Sequence, residues 1–225
     1  MSNRRTGAVL FALLVLATSA CGDGEQDSAD ASTTTAFPYP PFEIRTDIAV
    51  PLEPPLLDAA KFALDMSVDN RLKNAPGAND IERRFRSRIA PEIDITDLPP
   101  PPATVVGETG GALHRAVGAR ALPDGAVEVD ICAFATPGLY TQFKDGRVVG
   151  PDPAKPFSLE RPVVRWTDEP AADGERPASP RWLLVHTGLL GNEDDATSIC
   201  EPYKPEPFIQ KMPDRTSTTA APPSS

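Results

Sequence analysis

Ala112–Leu122 (ALHRAVGARAL), Pro123-Asp124-Gly125 and Ala126–Ala135 (AVEVDICAFA) form the stretch on which the fold turns. Two β-type runs flank a Pro-Asp-Gly turn signal, the local pattern of an antiparallel hairpin. In the second run Val127, Val129 and Ile131 alternate with Glu128 and Asp130. Ile131-Cys132-Ala133-Phe134 then breaks the alternation, as in a strand that starts half solvated and ends covered on both faces. Leu139–Phe143 and Arg147–Val149 enclose Lys144-Asp145-Gly146, a second hairpin. Pro162–Thr167 and Arg181–Gly188 (RWLLVHTG) add two strands around a polar loop at 168–180, and Ser198-Ile199-Cys200 leads Cys200 back towards Cys132. Gly107–Gly111 (GETGG) reads as a turn, since no following helix and Lys complete a phosphate cradle.

Upstream the period changes to helical. Leu57, Ala60, Leu64, Val68 and Leu72 recur at three- and four-residue steps, widened by Phe62 and Met66. Pro54 and Pro55 suit the start of this helix, and Asn74-Ala75-Pro76-Gly77 ends it. In a second helix Asp80 is the N-cap, Ile81, Phe85 and Ile89 stand four apart, and Pro91 is the stop. Its other face carries Arg83, Arg84, Arg86 and Arg88, either an anion or partner site or, more simply, a solvated face balancing an acidic chain. Helices followed by five or six strands give an α+β domain, the N-terminal helices packed on one face of a curved antiparallel sheet.

Composition sets the limits of that domain. The chain has 225 residues, of which 27 are Pro, far above the usual share of about 5%. Residues 21–55 read as a flexible, acidic, then Pro-rich tether, 56–201 as the single domain and 202–225 as a disordered Pro-rich tail. Lys plus Arg number 22 against 32 Asp plus Glu; without Arg4 and Arg5 the balance is 20 against 32, or −12. So acidic a domain is poorly suited to nucleic acid or to flat contact with anionic lipid.

Residues 1–20 have the build of an export signal. Arg4 and Arg5 precede ten apolar residues, Ala8–Ala17 (AVLFALLVLA), which rise only about 15 Å as a helix, half a hydrocarbon core. Thr18-Ser19-Ala20-Cys21 resembles a bacterial lipobox, departing from it at Thr18, where Leu is more usual. The resemblance implies cleavage before Cys21 and a diacylglyceryl anchor on its sulfur; ordinary secretory cleavage after Ala20 is the alternative. With Cys21 lipidated, Cys132 and Cys200 remain as a pair, expected to form a disulfide in an exported protein, with metal ligation the thinner alternative.

Catalytic signatures are scarce. The sequence has no G-x-S-x-G, P-loop, H-E-x-x-H, S-x-x-K or EF-hand pattern, and no cofactor or metal site is expected. Its two His, His114 and His186, fall on different strands. Trp166, Trp182, Tyr140 and Phe143 are candidate walls of an apolar pocket, or simply core. Asp130, Tyr140, Trp182 and His186 together make the speculative pocket, with Asp130 or His186 as a proton-transfer base. The simpler reading turns His186 outward and leaves Asp130 on the solvated half of its strand. Asn192-Glu193-Asp194-Asp195 reads as a solvated turn.

The run Val127-Glu128-Val129-Asp130-Ile131-Cys132, the Asp145-Gly146 turn, Trp182-Leu183-Leu184-Val185 and the closing Cys200 resemble the C-terminal part of many uncharacterised actinobacterial exported lipoproteins. Those resemble the nuclear-transport-factor-2-like cone fold, in which helices cap a strongly bent sheet. The resemblance covers about 57–200 and maps its paired Cys onto Cys132 and Cys200; the Pro-rich stretch at 91–105 departs from it. Members of that fold range from enzymes and small-ligand binders to plain assembly modules, so the function expected rests on the export signal and the missing catalytic signatures: a non-catalytic module on the outer face of the cell membrane, held through Cys21, binding a small apolar ligand or an envelope protein. The alternatives are a cone-fold enzyme with an Asp or His base acting on a small apolar substrate, and a plain spacer.

Overall fold

The computed structural model describes residues 37–75, 78–93, 104–188 and 193–216. Residues 1–36, which include the expected signal segment and Cys21, and the residues from 217 onward lie outside them. In chain order the elements are β1 (Glu43–Ile48), α1 (Leu56–Leu72), α2 (Asn79–Arg86), β2 (Val105–Ala121) and β3 (Val127–Phe143). They continue with β4 (Val148–Val149), β5 (Phe157–Glu160), β6 (Val163–Thr167), β7 (Arg181–His186) and α3 (Glu193–Cys200). A 3₁₀ turn, Glu201–Tyr203, follows. The fold is α+β.

The quoted hairpin is its axis. β2 and β3 have 17 residues each, and their register runs from Val105 opposite Phe143 to Ala121 opposite Val127. The other edge of β3 is taken in succession by β4, β5 and β6, and β7 pairs with β6. The expectation of a wholly antiparallel sheet needs correction, because β1 lies parallel to β2, Glu43 opposite Gly111 through Ile48 opposite Ala116.

Adjacent residues of a strand point to opposite faces, so Ile131 and Cys132 feed two different cores. On one face Ala59, Ala60, Ala63, Leu64 and Met66 of α1 meet Ala116, Val127, Val129 and Ile131. Three alanines bring that helix close to the sheet. On the other face Leu113, Val117, Cys132, Phe134 and Leu159 meet Ala196 and Cys200 of α3. Helices therefore cover both faces, not one.

Local differences from the sequence reading have local causes. Asp80 lies inside α2, whose N-cap is Ala78. The helix stops at Arg86, short of Pro91, because the backbone of β7 captures the chain: Leu184 N–H donates to Arg88 C=O at 2.9 Å and Ala90 N–H to Leu184 C=O at 2.8 Å. Ile89 is thus a bridge partner of Leu184. GETGG is not a turn; it lies within β2, where Gly110 has φ 97° and an added Cβ would stand 2.0 Å from Gly138 O. Irregular register around Gly111 and Leu113 absorbs these glycines. Glu193–Cys200 is helix α3, not a turn or strand.

Structure also reaches into the stretches whose composition suggests tether and tail. β1 lies in the first. In the second, Phe208 packs beside Phe134 and Leu159, Thr136 Oγ1 donates to Ile209 C=O at 2.9 Å, and Thr216 N–H donates to Pro38 C=O at 2.8 Å.

Candidate functional site

Three elements converge on one buried polar cluster. Ser67 sits on the sheet-facing side of α1, His114 on β2 points to the same face, and Glu160 ends β5. Ser67 Oγ lies 2.7 Å from His114 Nδ1 and donates to Glu160 Oε2 at 2.6 Å. With its proton committed to Glu160, the hydroxyl accepts from Nδ1–H, which defines the neutral tautomer of His114.

The electrostatics follow from burial. His114 is 4% exposed, and loss of hydration, followed by the positive charge of Arg71, lowers its pKa to about 4. Burial pushes the Glu160 carboxyl up, opposed by the Ser67 hydrogen bond and by Arg71. A crevice lined by Met66, Ser67, Asn70, Glu160, Pro162, Leu184 and Thr187 opens onto the cluster. Its cavity volume is only about 10 Å³, room for about one water molecule.

The order of the chain decides its chemistry. In a nucleophilic triad the imidazole stands between hydroxyl and carboxylate and takes the hydroxyl proton. Here the serine stands in the middle, and the group placed to take its proton is Glu160.

The four pocket residues expected from the sequence have separate surroundings. Asp130 accepts from Arg161 Nε at 3.0 Å, and Arg161 also reaches Asp195 of α3 at 3.2 Å. Tyr140 packs beside Gly110 and Gly150, ten residues further along β3. Trp182 packs on the α1-side core and meets Trp166 edge-on at 5.5 Å between centroids. His186 is exposed, and its Nδ1 accepts from Gly188 N–H at 3.0 Å. Neither candidate base is among the residues that line the crevice. Phe143 lies near the far end of the long hairpin, under the Arg147 guanidinium.

The arginine face of α2 is tied down by acids. Arg84 forms a two-pronged contact with Asp69, its Nε 2.9 Å from Oδ2, and Arg88 reaches the same carboxylate at 3.4 Å. Arg83 pairs with Asp80 at 3.0 Å and Arg86 with Glu82 at 2.9 Å. Such pairing marks a charge-compensated surface.

Cys132 and Cys200 are disulfide-bonded, with Cα atoms 5.6 Å apart, joining the middle strand to α3. Cys21 lies outside the described residues. Among the described residues no three His, Cys, Asp or Glu side chains gather as a metal site, and no helix is long and apolar enough to cross a membrane. No family profile matches the chain, and comparison with curated proteins and with solved structures finds no similar one.

Sequence reading missed the Ser67–His114–Glu160 cluster. The available signal was Ser67 itself, a polar residue on the helix face that also carries Ala60 and Ala63.

Proposed function

We propose that the chain is a cell-envelope lipoprotein: a non-catalytic binding or accessory module, anchored through a diacylglyceryl group on Cys21 and displayed outside the cytoplasmic membrane. The observation that carries this reading is the disulfide between Cys132 and Cys200. Such bonds persist in oxidising compartments, which agrees with the export signal and leaves Cys21 as the single cysteine outside the pair. A cone-like cap of helices remains part of the proposal only for the α1 side of the sheet.

An envelope protein is favoured over a small apolar ligand as the partner. The space between α1 and the sheet is filled by Ala59, Ala60, Ala63, Leu64 and Met66, each at most 4% exposed. The test is in-cell photo-crosslinking of the full chain, with Cys21→Ser as comparison. A discrete crosslinked partner, lost when Cys21→Ser releases the protein from the membrane fraction, supports the reading. Membrane fractionation unchanged by Cys21→Ser overturns the anchor.

The 2.6 Å Ser67–Glu160 contact at the crevice favours a second reading, an enzyme in which Glu160 activates the Ser67 hydroxyl. Covalent labelling of Ser67 by a fluorophosphonate, abolished in Glu160→Gln, would support it. No labelling of the native protein would remove it.

A further inference from the structure

The two edges of the sheet differ. β7 is the last strand on one side, and the backbone of Arg88–Ala90 covers it through the hydrogen bonds to Leu184. β1 is the last strand on the other side, and among the described residues no strand lies beyond it. Ala49 N–H donates to Ala116 C=O at 2.9 Å, and a Cβ added to Gly111 would stand 2.6 Å from Glu43 O. Odd-numbered positions of β1 therefore turn their backbone groups to β2, while the N–H and C=O groups of Ile44, Thr46 and Ile48 point outward. A row of unpaired donors and acceptors is a template for another strand.

The charged side chains select that strand. Glu43, Arg45 and Asp47 share one face of β1, and Ile44, Thr46 and Ile48 the other. Asp47 is already held by Arg115 at 2.7 and 2.8 Å. Glu43 and Arg45 are exposed, and no side-chain hydrogen bond or ion pair engages either among the described residues. Glu43-Ile44-Arg45 is complementary to itself read backwards. Laid antiparallel with Ile44 opposite Ile44, two copies bring outward backbone groups together and set Glu43 of each strand opposite Arg45 of the other. Those charged pairs fall at the non-hydrogen-bonded positions, where Cα atoms are about 4.5 Å apart and side chains stand closest. Shifting the register by two residues opposes Arg45 to Arg45 or Glu43 to Glu43. A larger shift that sets Arg45 against Asp47 meets a carboxylate Arg115 already holds.

From this edge we infer that the protein pairs with a second copy of its own chain, β1 antiparallel to β1 about a two-fold axis at Ile44, with reciprocal Glu43–Arg45 pairs. Such a contact uses the same patch on both copies, so it closes as a dimer. Pro40 and Pro41, which lack the N–H that a ladder needs, bound the paired segment. A strand this short makes a small interface, and the dimer dissociates on dilution. The contact does not depend on the Cys21 anchor.

The test is sedimentation velocity over a dilution series, in about 0.15 M salt to screen the repulsion between two acidic chains. It uses the full exported chain carrying Cys21→Ser, so that neither an anchor nor a third thiol joins copies. The expected result is a monomer–dimer equilibrium. Glu43→Arg and Arg45→Glu, both at exposed positions, are each expected to weaken it by about tenfold or more. An equimolar mixture of the two variants is expected to dimerise again, because each supplies the charge the other lacks. A parent chain that stays monomeric throughout the series overturns the inference. So does a dimer that Glu43→Arg leaves intact, or one that both variants weaken and their mixture fails to regain.

Discussion

At the scale of single residues, the Ser67–His114–Glu160 chain sets the pH response of the fold. His114 titrates at about 4 in the native state and near 6.5 unfolded. As pH falls through that window the unfolded chain binds the proton first, so the native state loses stability. The gap corresponds to about 3 kcal/mol. His114→Asn, which keeps a donor near Ser67, is expected to flatten stability between pH 6.5 and 4; a urea series across that range checks it, and an unchanged slope would count against the assignment. Glu160 has the opposite sign. Its carboxyl is raised by burial, so its contribution is full below the unfolded carboxyl value and is lost as pH rises through the folded one. Glu160→Gln is therefore expected to gain on the parent protein as pH rises above the ordinary carboxylate value, read as a shift in urea midpoint. None of these three was singled out as a site from sequence, because each is unremarkable in its own element. Their meeting requires a helix, the long hairpin and β5 at once.

At the scale of elements, a buried carboxylate helps hold α2 to the body and a disulfide helps hold α3. Asp69 of α1 has a side chain only 4% exposed and receives both Arg84 and Arg88. Asp69→Ala removes the buried acceptor while Arg84, 52% exposed, can rehydrate. The cost expected is about 2 kcal/mol, seen in calorimetry as a fall in Tm with early loss of α2. The Cys132–Cys200 bond closes a separation of 68 residues, worth about 4 kcal/mol by chain entropy. Reduction, or the double Cys→Ala variant, should lower Tm accordingly and release α3; an unchanged Tm in reductant would contradict the clamp. The hairpins, α1 and the strands at 162–167 and 181–188 were legible because their periods are local. β1 was not, because EIRTDI lies in a Pro-rich stretch and acquires its identity only from a parallel partner more than sixty positions away. α3 did leave a signal, Glu193, Asp194 and Asp195 at its start, since acids favour the first turn of a helix. Read as a loop, that signal was lost.

At the scale of the whole molecule, the proposed export and anchoring and the acidity of the chain belong to one account. Cysteine arithmetic made the disulfide legible, since setting Cys21 aside leaves one pair. The pocket of Asp130, Tyr140, Trp182 and His186 was a weaker reading, because alternation along strands does not say which stretch of a 17-residue ribbon a helix covers. Asp130 stands beside Arg161 and α3, while Trp182 lies on the α1 side. The most direct test of the lipoprotein reading is the intact mass of the protein extracted from its native membranes, followed by peptide mapping without reductant. The account predicts a mature chain starting at Cys21, carrying diacylglycerol on its sulfur, with Cys132 and Cys200 recovered in one cross-linked peptide pair. An unmodified Cys21, or free thiols at Cys132 and Cys200 in freshly alkylated protein, would contradict it.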